Sequence, residues 1–172
     1  MSLSLLIALL LPAGPAHTSA AAGKPVDDGN PACVRDGTTI EMNACAFQDL
    51  ERETARMDRY LAAARLRAAE GDAESATYGE PTQRQAFLEK SQAAWLAYST
   101  VVCDGVYDQW KGGTIRTVLY LGCRIDMTRQ RTHLVWSDYL TFRDSTPPVL
   151  PEPVLSVAEE ADAADAGTGT DS

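Results

Sequence analysis

Apolar residues recur every three or four positions in the first half of the chain, which is the period of one helix face. This stripe consists of Phe47, Leu50, Thr54, Met57, Leu61, Ala64 and Ala68. Thr38 and Glu41 have the spacing of a capping box, in which each side chain satisfies a backbone N–H at a helix start. The pattern therefore predicts a helix that begins near Thr39. It is ended by Gly71-Asp72 and then by Gly79-Glu80-Pro81, which form a polar connection.

Two more helical segments follow this connection. Thr82 and Gln85 repeat the capping-box spacing and predict a second helix that runs through Cys103. Its apolar positions are Phe87, Leu88, Ala94, Trp95, Tyr98, Val101 and Val102. After a turn, Thr114 is predicted to cap a third helix that stops before Pro147-Pro148. Because the alternation typical of strands is missing, we predict an all-α domain, either a small three-helix bundle or a hairpin with an added helix.

Four cysteines, Cys33, Cys45, Cys103 and Cys123, follow an apolar N-terminal segment. An even number of cysteines in this setting predicts disulfides formed in an oxidising compartment. Three pairings are possible. Gly112-Gly113 lies midway between the last two cysteines, so a helical hairpin that turns there brings Cys103 level with Cys123. We therefore favour Cys103–Cys123 together with Cys33–Cys45, and a bridge across a loop of roughly 20 residues stabilises a fold by about 3 kcal/mol.

The two ends of the chain differ from its middle. Residues 3–11 form an apolar run of signal-peptide length, so we predict a signal peptide at residues 1–22 and a periplasmic or secreted protein. Residues 144–172 carry seven acidic residues and no basic one, and they are predicted to be a disordered acidic tail. The helical domain is assigned to residues 23–143 and is nearly neutral. Without a basic stripe, a nucleic-acid partner is disfavoured.

Catalytic and metal-binding chemistry finds little support in the sequence. No two cysteines have the two-residue spacing of zinc sites, and the chain has only two histidines, of which His17 lies in the predicted signal peptide. A catalytic serine or cysteine needs a base nearby, and His133 is the remaining candidate. The acid pairs Asp49 with Glu53 and Asp104 with Asp108 are expected to form a solvated helix face. We therefore expect neither an enzyme nor a cofactor or metal.

Several short motifs occur in a fixed order along the predicted domain. They are Glu41-Met42-Asn43-Ala44-Cys45-Ala46, Ser91-Gln92-Ala93-Ala94-Trp95, Cys103, Gly112-Gly113-Thr114, Cys123, and Thr128 with Arg131 and Leu134. In this order and spacing the chain resembles the LprI-type lysozyme inhibitor domain, a family of small exported bacterial proteins, from about Cys33 to Leu140. The resemblance implies a helical, disulfide-tied domain outside the cytoplasm that inhibits lysozyme. The namesake is a lipoprotein, whereas this chain has no cysteine just behind the apolar run, so a soluble secreted form is expected.

The turn between the second and third helices is the best binding candidate. It contains Trp110, Lys111, Gly112, Gly113, Thr114 and Arg116. A muramidase works through two carboxyl groups in a cleft, so an inhibitor that plugs the cleft has to offer hydrogen-bond donors or positive charge. Lys111, the Thr114 hydroxyl, Arg116 and the free N–H groups of a helix start supply them.

The same turn has a purely structural interpretation. Tight turns often need residues that tolerate positive φ, which would by itself explain Gly112-Gly113. Trp110 is then a lid on the core rather than an anchor for a partner, whereas Trp95 and Trp136 lie among apolar helix positions and are expected in the core.

Three hypotheses about function follow from these observations. The first is an exported inhibitor that binds lysozyme or a related peptidoglycan muramidase and blocks its cleft. The second is a periplasmic immunity protein that neutralises a toxin delivered by another bacterium. The third is an envelope adaptor domain without inhibitory activity.

Overall fold

Three helices follow one another along the part of the chain that the computed structural model describes, residues 32–155. Helix α1 spans Thr39–Thr77, α2 spans Arg84–Gln109 and α3 spans Arg116–Val135. A short π-helical turn, Trp136–Leu140, continues α3. These residues contain no strand, so the predicted all-α class is confirmed.

Both ends of the chain lie outside the described residues. The signal peptide predicted at residues 1–22 falls there entirely, as does the predicted tail from residue 156 onward. Between these ends, no helix combines the length and apolar character needed to cross a lipid bilayer.

Helix α1 begins where the capping box predicts. The Thr38 hydroxyl accepts a hydrogen bond from the Glu41 N–H at 3.4 Å, and the Glu41 carboxylate accepts one from the Thr38 N–H at 2.8 Å. The predicted break at Gly71 is wrong, because α1 runs through it to Thr77 and the chain turns at Gly79, where φ is +79°. Gly71 instead makes room for a neighbouring side chain, since a Cβ there would lie 2.7 Å from an Arg84 guanidinium nitrogen.

The start of α2 differs from the prediction. Thr82 does not cap it, and the N-cap residue Gln83 makes no side-chain hydrogen bond to the helix. The carboxylate of Asp72 reaches over from α1 and accepts hydrogen bonds from the Arg84 and Gln85 N–H groups at 2.7 and 3.1 Å. It also accepts a hydrogen bond from the Thr82 hydroxyl at 2.6 Å. Of the interactions that hold the pKa of Asp72 below its ordinary value, this hydrogen bond has the largest effect. A carboxylate from another helix thus does the work expected of a local cap.

The hydrophobic core lies where the three helices and the π-helical turn meet. Its buried residues are Met57, Tyr60, Leu61 and Ala64 of α1, Leu88 of α2, Val135 of α3, and Leu140 of the turn. Trp95 and Trp136 pack against this cluster, in agreement with the expectation that both belong to the core.

The segment after the π-helical turn folds back onto the bundle. The sequence predicts disorder from residue 144, whereas here the Trp136 indole N–H donates to the Leu150 carbonyl at 2.9 Å. The Tyr60 hydroxyl donates to the Pro151 carbonyl at 2.7 Å, and Pro153 is buried. Buried donors of α1 and the turn need acceptors, and the carbonyls of a proline-rich segment supply them without forming regular secondary structure.

Two acidic residues of α1 are buried rather than on a solvated face, and one of them contacts α3. The Glu53 side chain is 1% exposed and its Oε1 accepts from Nε of Arg129 at 2.9 Å. Asp49 is also buried and is bound by Arg35 and Arg52. Burial acts to raise the pKa of Asp49, but the hydrogen bonds from these two arginines outweigh it and hold that pKa below its ordinary value. The expectation that Asp49 and Glu53 are solvated is therefore wrong, because each carboxylate has an arginine partner that compensates for desolvation.

Candidate functional site

One disulfide joins the two helices that flank the predicted turn, and a second fastens the segment before α1. Cys103 of α2 is bonded to Cys123 of α3, with a Cα–Cα distance of 5.6 Å. Cys33 is bonded to Cys45, which fastens the segment before α1 to the second turn of that helix. Of the three possible pairings, the structure has the one that the hairpin geometry favours.

Between α2 and α3 lies a turn of six residues, 110–115, which we call the tip. The Gly113 N–H donates to the Trp110 carbonyl at 2.8 Å, which closes the turn. The Arg116 guanidinium donates to the Lys111 carbonyl at 2.7 Å and lies 5.3 Å from the centre of the Tyr107 ring. Hydrogen bonds across the tip therefore add to the disulfide in holding its conformation.

Gly112 and Gly113 are not required by the backbone of the turn. Neither has a φ in the left-handed region, since Gly79 alone has positive φ among the described residues. A Cβ on Gly112 would meet no atom within 4 Å, and one on Gly113 would lie 3.6 Å from the Trp110 carbonyl oxygen, an ordinary contact. The interpretation that these glycines exist to allow positive φ is therefore wrong for this turn.

The start of α3 is left without a side-chain cap. The predicted cap Thr114 is not used, because the helix begins one residue later with Ile115 at the N-cap position. Ile115 has no side-chain acceptor to offer, so the first N–H groups of α3 receive no hydrogen bond from a capping side chain. An exposed helix start of this kind favours a negatively charged group.

Lys111 and Trp110 are both accessible on the tip. The Lys111 ammonium lies 2.9 Å from a carboxylate oxygen of Asp108, but both side chains are more than 70% exposed. Such a pair contributes little to stability and exchanges readily with another partner. Trp110 is 47% exposed, so about half of its surface is open to a partner.

The first turn of α1 forms a second wall beside the tip. A groove of about 570 Å³ separates the two, and its walls are formed by Thr38, Thr39, Ile40, Asn43, Lys111, Gly112, Gly113, Thr114, Arg116 and Thr117. Within the described part of the chain, the side-chain oxygen of Asn43 is buried and accepts no hydrogen bond. The groove thus joins the predicted turn to residues of α1 that were not predicted. Thr38 and Asn43 lie in motifs of the sequence, but those motifs do not indicate that they are near the tip, which follows from the packing of α1 alongside α3.

Other candidates for chemistry are accounted for by structural contacts. The His133 ring nitrogen lies 3.1 Å from a Glu152 carboxylate oxygen, and the ring packs against Trp136. Over residues 32–155, no three histidine, cysteine or acidic side chains are grouped so that they could hold a metal ion.

Comparison with known proteins gives two matches. The family model described as Lysozyme inhibitor LprI matches residues 31–134, which include α1, α2 and nearly all of α3. An uncharacterized protein of Rhizobium meliloti (strain 1021) is 29% identical over 107 residues, which cover 59% of this chain and 74% of the relative. No solved structure matches the chain.

Proposed function

The chain belongs to the Lysozyme inhibitor LprI family, and on that premise we propose that it binds a peptidoglycan-cleaving muramidase and blocks its cleft with the tip. The family is one of inhibitors, and a helical domain with two disulfides fits an exported protein. The proposed place of action is the periplasm or the cell exterior, where muramidases meet their substrate.

The observation that carries the proposal is the pair of glycines at the tip. Neither glycine has a positive φ, and neither has a neighbour so close that a Cβ would clash. The missing side chains therefore leave the backbone of the tip open to a binding partner. Glycine at an exposed loop end allows the backbone to approach a partner closely, as insertion into a narrow cleft requires.

The groups around these glycines match the chemistry of a muramidase cleft. Two carboxyl groups lie in such a cleft, and at least one of them is ionised. The Lys111 ammonium, the exposed Thr114 hydroxyl and the uncapped N–H groups of α3 all donate hydrogen bonds. Trp110 adds an exposed aromatic surface, the kind of side chain that most often anchors an interface.

Rigidity of the tip supports tight binding. The disulfide between α2 and α3 and the Arg116 hydrogen bond to the Lys111 carbonyl hold the turn before any partner arrives. Binding then orders few additional groups, which lowers the entropic cost of association.

The test is an assay of cell-wall hydrolysis by a panel of muramidases, to which the oxidised protein is added. We expect inhibition of at least one enzyme, and we expect Trp110→Ala with Lys111→Ala to weaken it about tenfold or more, as loss of an interface anchor does. Tyr78→Ala is the matched control, because Tyr78 is 78% exposed and lies at the opposite end of α1 from the groove. Unchanged hydrolysis at micromolar excess for every enzyme would contradict the proposal, as would equal effects of the tip and control variants.

The immunity-protein hypothesis uses the same scaffold with another partner. Capture of a toxin from neighbouring bacteria, without inhibition of any muramidase, would favour it. An envelope adaptor would show envelope defects on deletion but no binding to a wall hydrolase.

A further inference from the structure

Helix α2 exposes an apolar stripe beside the face that it buries against the bundle. At 100° per residue, its residues lie within about 60° of one another around the helix. We call Phe87, Ala94, Tyr98 and Val101 the α2 stripe. The three large side chains Phe87, Tyr98 and Val101 are 60%, 63% and 72% exposed.

Three large apolar side chains exposed along one face of a helix are unusual. The buried residues of α2 are Leu88, Ser99 and Cys103, which lie about 110–170° around the helix from the centre of the stripe. A helix with apolar residues around its whole circumference is usually covered on both sides. The bundle covers one side of α2, so the stripe has the character of an interface.

Two charges of opposite sign flank the stripe. Lys90 and Asp104 are 14 residues apart, two heptads, and lie on the same flank of α2. Neither forms an ion pair in the part of the chain that the structure describes, although the Lys90 ammonium lies 5.3 Å from the centre of the Phe87 ring. Between them, Ala93 and Ala97 provide small side chains that allow a second backbone to come close.

We propose that a second copy of this chain covers the α2 stripe in an antiparallel, two-fold symmetric dimer. In an antiparallel helix pair the same flank of each helix faces its counterpart. With Ala97 at the axis, Lys90 of one protomer lies opposite the partner's Asp104, and Asp104 lies opposite the partner's Lys90. The ion pair between Lys90 and the partner's Asp104 therefore forms twice in this antiparallel register.

The dimer places its two tips at opposite ends. Each tip follows the C-terminal end of its own α2, and antiparallel α2 helices point these ends apart. The dimer is thus bivalent and can engage two partners without overlap. The association itself does not depend on which partner the tip binds.

Sedimentation velocity of the oxidised full chain over a concentration series tests the proposal. We expect a monomer–dimer equilibrium that is complete by about 100 µM. Lys90→Glu alone and Asp104→Lys alone should each weaken the dimer by about tenfold or more, because each places like charges opposite one another twice. The double variant Lys90→Glu with Asp104→Lys should restore the affinity, since the two charges have only changed places.

Two further variants separate the stripe from the rest of the surface. Val101→Glu should abolish the dimer, whereas Leu66→Glu, at a position on α1 that is 69% exposed, should leave it intact. Circular dichroism and thermal melting confirm that each variant is folded. A monomer at all concentrations, or a double variant no better than the single ones, would overturn the proposal. Crosslinks from the stripe to residues 1–31 or 156–172 within one monomer, or protection of the stripe only by a muramidase, would also overturn it and identify the true occupant.

Discussion

Replacing the tip glycines tests whether glycine is required there for folding or for binding a partner. In the free protein, alanine at Gly112 or Gly113 fits without a close contact, and neither backbone lies in the left-handed region. Glycine then affects stability only through the unfolded state, whose conformational entropy it increases. Gly112→Ala is therefore expected to raise the free energy of unfolding by about 0.4–1 kcal/mol.

A matched substitution provides the reference for this value. Gly122 lies within α3 and a Cβ there also meets no atom within 4 Å, so Gly122→Ala should stabilise the protein by about 0.5–1 kcal/mol. Urea denaturation of the oxidised proteins, followed by circular dichroism, measures both changes at one pH and temperature.

The two alanine variants should differ in function. At the tip, a methyl group occupies space that a cleft wall is proposed to take, so Gly112→Ala should weaken muramidase inhibition by about tenfold, the effect of a 1.4 kcal/mol loss. Gly122→Ala should inhibit as the unchanged protein does. The reasoning is refuted if Gly112→Ala destabilises the fold by more than about 1 kcal/mol, because the turn itself would then need glycine. It fails equally if Gly112→Ala stabilises the fold and inhibits normally, since nothing would then approach the tip backbone.

Three further predictions concern what holds the domain together. Glu53→Leu leaves Arg129 buried without its carboxylate partner and should lower the free energy of unfolding by about 3–5 kcal/mol. The double variant Glu53→Leu with Arg129→Met should recover most of that loss. A double variant as unstable as Glu53→Leu alone would contradict this prediction. Because the pKa of Asp49 is lowered in the fold, its contribution is present above the ordinary value and is lost as the pH falls through the lowered one. Urea midpoints between about pH 5 and 2 should therefore fall more steeply for the unchanged protein than for Asp49→Asn, and parallel curves would refute the assignment. Cys103→Ala with Cys123→Ala removes the bridge that closes a loop of 20 residues and should lower the free energy of unfolding by about 3 kcal/mol in the same denaturation assay. A reduced chain as stable as the oxidised one would contradict this.

Local patterns in the sequence were sufficient for the parts of the fold that local interactions determine. The capping box at Thr38 predicts the first residue of α1 because both of its hydrogen bonds form within one turn. The position of Gly112-Gly113 between Cys103 and Cys123 predicts the hairpin and its bridge, because equal stretches of chain on either side of the turn bring the cysteines level.

Features that depend on contacts between distant segments could not be predicted in this way. Asp72 caps α2 from another helix, so the local Thr82 motif was misleading. Glu53 is buried because Arg129, 76 positions later, supplies a charge partner, and helical spacing alone makes such an acid appear solvated. The first turn of α1, including Asn43, becomes a wall of the groove only when α1 packs beside α3.

Hydrogen–deuterium exchange of the oxidised chain, with and without a muramidase that it inhibits, tests the central claim most directly. If the tip enters the cleft, amide exchange should slow at residues 110–117 and along the facing wall at residues 38–43, and should be unchanged around residues 72–82 at the far end of the bundle. Unaltered exchange at the tip, or protection confined to another surface, would contradict the account.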